Sequence, residues 1–87
     1  MAVTVRVGGP LRSLLDGRRQ VDVEGATVGE AMDHLQIRDQ LSNESGELRP
    51  YITVHVNSGE NIRRLEGFDT PVKDGDVVTI LSAIGGG

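Results

Sequence analysis

The chain has 87 residues, enough for one domain with one core. Hydrophobic residues make up 37% and charged residues 25%, the ordinary globular range, and no apolar run is long enough to span a bilayer. Cysteine is absent, which excludes disulfides, thiolate metal sites and cysteine nucleophiles; the net charge of -4 and the aromatic content of 2%, only Tyr51 and Phe68, argue against nucleic acid as a partner. The opening Met1-Ala2-Val3-Thr4 has no basic segment before an apolar one, so no signal peptide is expected and the cytoplasm is the default compartment.

Val3-Thr4-Val5-Arg6-Val7 alternates apolar and polar and predicts a half-buried strand, broken by Gly8-Gly9-Pro10. Residues 11–18 read as a loop or short turn, with Leu11, Leu14 and Leu15 available to cover one end of the core. Gln20-Val21-Asp22-Val23-Glu24 alternates again and predicts the hairpin partner of the first strand.

Thr27-Val28-Gly29-Glu30 has the form of a capping box: the Thr27 hydroxyl accepts from the Glu30 amide, and the Glu30 carboxylate reaches back to the Thr27 amide. Val28, Ala31, Met32 and Leu35 then lie at helical spacing on one apolar stripe, ending near Gln36 or Ile37. Residues 37–46 are polar and turn-rich, with Ile37 and Leu41 as anchors.

Tyr51-Ile52-Thr53-Val54-His55-Val56 predicts a third strand, stopped by Asn57-Ser58-Gly59, and residues 61–64 a short fourth. Thr70-Pro71 forces an extended bend, and Lys73-Asp74-Gly75-Asp76 is a turn signal before the last strand, Val77-Val78-Thr79-Ile80-Leu81. One amphipathic helix can cover one face of one sheet, so a two-layer α+β domain follows, with the other face left for solvent or a partner.

No constellation of catalytic or metal-binding residues stands out. His34 and His55 have no matching carboxylate spacing, and the serines lack a nucleophile-elbow sequence. Asp74 and Asp76 flank a turn glycine, where aspartate serves turn geometry. Arg18-Arg19 and Arg63-Arg64 would form a basic patch only if the second and fourth strands were close; solvated charge on edge strands is the simpler reading.

The distinctive feature is Gly85-Gly86-Gly87 directly after a predicted strand, with no charged residue among them. Most chain termini are frayed ends without a role. Three glycines beside an apolar strand instead predict a thin, flexible tail that can enter a narrow channel and present a terminal carboxylate. From Ser82 to Gly87 such a tail would reach roughly 20 Å when extended. ATP can turn a carboxylate into an acyl-adenylate that a sulfur or nitrogen nucleophile attacks.

Arg49-Pro50-Tyr51-Ile52-Thr53-Val54-His55-Val56-Asn57, Arg64-Leu65-Glu66-Gly67, Asp69-Thr70-Pro71-Val72 and residues 74–81 resemble MoaD/ThiS/CysO-type ubiquitin-like sulfur carriers. Thr27-Val28-Gly29-Glu30-Ala31 resembles the family's helix start, and Ala83-Ile84-Gly85-Gly86-Gly87 its ending. Gly85 stands where alanine is common in that family and Ser82 where proline is common. The length and the entry to the third strand at residues 48–51 look more like the MoaD and CysO branches than the shorter ThiS branch.

The resemblance implies a β-grasp fold, a mixed sheet of four to five strands with the first and last parallel and central and one main helix on one face. Residues 1–82 would form the domain and residues 83–87 the tail. It implies a protein cosubstrate, with Gly87 and Gly86 as the sulfur-carrying end and Gly85 and Ile84 as the tail leading to it. No cofactor is expected to be bound. An E1-like adenylyltransferase of the MoeB/ThiF type would consume ATP, a sulfur donor would form the thiocarboxylate, and a sulfur-acceptor synthase would use it to make molybdopterin, cysteine, thiamin or a sulfur-containing secondary metabolite. A ubiquitin-like modifier joined to lysines, and a β-grasp interaction module with an inert tail, are the alternatives. Strand alternation places Val77, Thr79 and Leu81 on the open face as docking residues; Phe68 either extends that surface or closes the core end, the second being preferred.

Overall fold

The computed structural model describes residues 2–82. Strands β1 (Ala2–Val7), β2 (Gln20–Glu24), β3 (Ile52–Val56) and β4 (Val77–Ser82) form one sheet in the order β2-β1-β4-β3. β1 and β4 pair in parallel at the centre; β2 joins β1, and β3 joins β4, antiparallel. This is the β-grasp arrangement, with four strands. Helix α1 (Val28–Leu35) covers one face, followed by the short α2 (Arg38–Leu41).

Strict alternation in the strands decides the two faces. Val3, Val5 and Val7 of β1, Ile52 and Val54 of β3, and Val78 and Ile80 of β4 are buried, with Val56 packed partly against them. β-branched side chains suit this pleated surface, and each one removed from water contributes about 1.5–3 kcal/mol. From α1 come Val28, Ala31 and Met32, fully buried, while Leu35 is half-buried.

The start of α1 is capped nearly as expected. The Thr27 hydroxyl accepts from the Glu30 N–H at 3.1 Å. The Glu30 carboxylate reaches back one residue further than the sequence suggested, accepting from the Ala26 N–H at 3.0 Å. Gln36, in the left-handed conformation, ends the helix.

Three expectations change. Residues 9–15 form a 3-10 helix rather than a loop, placing Leu15 in the core and Leu11 and Leu14 partly against it. β3 begins at Ile52, because the Ile52 N–H closes a turn onto the Arg49 carbonyl at 3.0 Å and Tyr51 belongs to that turn. Residues 61–64 are not a strand. The Asn61 side chain accepts from the Arg63 N–H at 3.2 Å, starting a 3-10 turn over Ile62–Arg64 that drops Ile62 into the core. Only a single bridge, His55 to Asn61, remains of the pairing.

Candidate docking face and carrier terminus

The face opposite α1 has no covering element among the described residues. Its rows follow from the register. Thr4 stands opposite Val77, and its hydroxyl donates to Asp22 on β2 at 2.8 Å. In the next row Arg6 lies between Gln20 and Thr79, and Thr79 lies opposite His55. Then comes Leu81, opposite Thr53. Leu81 is 42% exposed; Val77 and Thr79 are half-buried between their neighbours. The three β4 residues named as docking residues therefore share the open face. One His55 ring nitrogen, Nδ1, is 3.0 Å from the Gly59 carbonyl, which holds the ring beside its strand.

β4 is held at its start by a side-chain clasp. The Asn57 side-chain oxygen accepts from the Val77 N–H at 3.0 Å, and its amide donates to Asp76 at 3.1 Å. The other Asp76 oxygen accepts from the Lys73 N–H at 3.0 Å. The Lys73 backbone N–H, then the Asn57 amide, hold the Asp76 carboxyl below the usual aspartate range against the opposing effect of burial, with a small further contribution from the Lys73 charge. Asp74 accepts from the Ala2 N–H at 3.0 Å, tying the same turn to β1. Both aspartates thus do more than shape a turn: they set the register from which β4 runs to Ser82. At its far end β4 remains paired, Ile80 with Val7 and Ser82 with Ile52.

The expected tail, residues 83–87 with Ile84, Gly85, Gly86 and Gly87, lies outside the described residues. The described part of the path to it ends at Ser82, immediately after the exposed Leu81.

Phe68 does not belong to the open face. It is 7% exposed and closes the core end, with the Arg38 guanidinium 4.8 Å above its ring and Asp33 holding Arg38 at 3.1 Å. The two arginine pairs do not form one patch: β2 and β3 are opposite edges of the sheet, and residues 62–64 belong beside β3. Arg63 is tied to the carbonyls of Leu48 and Arg49. Sequence reasoning missed the Arg38–Phe68 stack and the Asn57–Asp76 clasp. Asn57 beside a strand end, followed by an aspartate beside the next strand start, was the available signal for the second.

Among the described residues no three His, Asp or Glu side chains gather as metal ligands, and no helix is long and apolar enough to cross a membrane. A mixed sheet with parallel central strands, covered on one face by a helix, defines a ubiquitin-like β-grasp protein.

The ThiS family profile matches residues 5–87. The sulfur carrier protein CysO of Mycobacterium tuberculosis is 35% identical over 94 aligned residues, covering 100% of both chains. Its crystal structure superposes with a TM-score of 0.84 at 34% identity, covering 94% of this chain and 99% of that one. The Amycolatopsis orientalis BexX/CysO complex contains a chain that superposes with a TM-score of 0.85 at 39% identity, covering 98% of this chain and 99% of that one. The chain belongs to the ThiS family of ubiquitin-like sulfur carriers, protein cosubstrates rather than enzymes.

Proposed function

We propose that this chain carries sulfur on the carbonyl carbon of Gly87. The observation that carries the reading is Gly85-Gly86-Gly87, in a chain whose family match runs to residue 87. An E1-like adenylyltransferase of the MoeB/ThiF type binds the open face through Leu81, with Val77 and Thr79 beside it, and receives the tail. The Gly87 carboxylate attacks the α-phosphorus of ATP and releases pyrophosphate. Sulfide then attacks the acyl-adenylate carbonyl and displaces AMP, leaving a thiocarboxylate for the acceptor synthase. Glycines suit this route because no Cβ obstructs entry to the adenylating site.

The chain needs no thiol of its own for this chemistry, in keeping with its lack of cysteine. Reconstitution with ATP, a ThiF-type adenylyltransferase and sulfide tests the reading. The wild-type chain is expected to exchange one terminal oxygen for sulfur, and a variant extended by one alanine after Gly87 is expected not to react. Equal thiolation of the extended variant would overturn the assignment of the terminal carboxylate.

A further inference from the structure

We propose that Arg6 is the charge-reading residue of the open face, receiving a carboxylate of the partner protein while Leu81 is covered beside it. This inference rests on the reading that the activating protein docks on that face.

Arg6 is exposed and is the one arginine placed within a strand of the sheet. Charged residues on edge strands block unwanted sheet pairing, but β1 lies between β2 and β4 and has no free edge. On such a central strand a β-branched or aromatic residue would pack better against its cross-strand neighbours. The cation therefore needs an explanation other than edge protection.

Its surroundings supply one. The cross-strand neighbours are the uncharged Gln20 and Thr79. Asp22, one row away, already accepts from the Thr4 hydroxyl. Arg12, Arg38 and Arg63 are tied back to the Gly17 carbonyl, to Asp33, and to the Leu48 and Arg49 carbonyls, and Arg18, Arg19, Arg49 and Arg64, whose side chains also show no partner, lie outside the strands, so what sets Arg6 apart is its place on the sheet. Among the described residues the Arg6 side chain makes no hydrogen bond or ion pair, while its backbone pairs with β2 and β4.

A guanidinium presents a planar fork of donors that matches a carboxylate, and its bonds strengthen when a partner excludes water. Leu81 is two residues along β4 from Thr79, the cross-strand neighbour of Arg6, so one partner surface spans both. The chain's net charge of -4 disfavours an acidic partner at long range. Arg6 thus supplies local complementarity, which fixes docking register and selects the partner. The partner of fitting chemistry is a protein with an apolar contact for Leu81 and an Asp or Glu beside it.

The test is calorimetric titration of the full chain against a purified ThiF-type adenylyltransferase, with circular dichroism of each variant. Arg6→Glu is expected to weaken binding about tenfold or more, through repulsion between like charges. Arg6→Gln, which keeps the length and loses the charge, is expected to weaken it less and serves if the glutamate variant fails to fold. Arg64→Glu, an equal charge change away from the face, is expected to bind like wild type. Loss of affinity in Leu81→Asp with none in the Arg6 variants would overturn the role of Arg6 and leave the docking face standing. No loss in any of them would overturn both. An equal loss in Arg64→Glu would trace the effect to net charge and overturn the assignment.

Discussion

The two faces of one sheet show how the same alternating strands serve two purposes. On the inner face, Val3, Val5, Val54, Val78 and Ile80 are almost completely removed from water under α1. On the outer face, one residue along from each of them, stand Thr4, Arg6, Thr53, Val77, Thr79 and Leu81, none of them fully buried. Stability is concentrated on the first face. The second is free to vary with the needs of a partner, because replacing an outward side chain disturbs little of the core. The difference predicts that substitutions on the inner face change folding, and those on the outer face change recognition.

The largest effect is expected inside. Ile80→Ala removes a fully buried side chain from the central strand and should destabilise the fold by about 2–5 kcal/mol, read from urea unfolding. A loss no larger than that of a surface substitution would mean that the inner face is not the core the register describes.

Next comes Gly29→Ala, on the helix that covers the inner face. Alanine is the better helix former, yet its Cβ would meet the Arg38 guanidinium at 2.8 Å and the Phe68 carbonyl and Cβ at 2.9 and 3.1 Å. The overlap with backbone should outweigh propensity and destabilise by about 1–3 kcal/mol. A more stable variant in thermal unfolding would show that helix and core end are less tightly apposed.

Leu81→Asp sharpens the comparison from the outside. It should change stability by only about 0.5 kcal/mol, while weakening binding to the adenylyltransferase by about 1–3 kcal/mol. Titration beside circular dichroism reads both. An unfolded variant would reverse the assignment of the faces; unchanged affinity with an intact fold would move the docking surface elsewhere.

The smallest effect concerns the clasp at the start of β4, and it is read from the pH dependence of stability. The folded Asp76 pKa is depressed, so its contribution is fully present above the unfolded aspartate value and is lost as pH falls through the folded one. Asp76→Asn should flatten that part of the acid limb of the stability curve. An unaltered limb, measured by urea unfolding at a series of pH values, would mean that other carboxylates account for it.

The regular parts of this fold were legible because their periods were clean. Alternation in residues 3–7 and 20–24 separated the two faces, the strand period of two assigned the faces of the largely apolar Val77-Val78-Thr79-Ile80-Leu81, and Val28, Ala31, Met32 and Leu35 marked the helix stripe. The stretch at Asn61 was misread because four residues do not fix a period, and a side-chain hydrogen bond within the turn decided its shape. The reach of Glu30 to Ala26 instead of Thr27 depends on the entry angle of the chain, which local sequence does not specify. Phe68 and Arg38 are thirty residues apart, so their stack arises only after the core end closes. At the candidate site the face of Leu81 followed from strand alternation, whereas Asn57 and Asp76 became partners only through the pairing of β3 with β4.

Intact-mass spectrometry of the protein isolated from its native host tests the central claim most directly. A sulfur carrier should yield a fraction whose mass exceeds that of the free chain by the difference between one sulfur and one oxygen, with fragmentation placing the change at Gly87. Only unmodified carboxylate would contradict the carrier reading in favour of an inert module, and Gly87 found only in amide linkage to lysines of other proteins would contradict it in favour of a modifier.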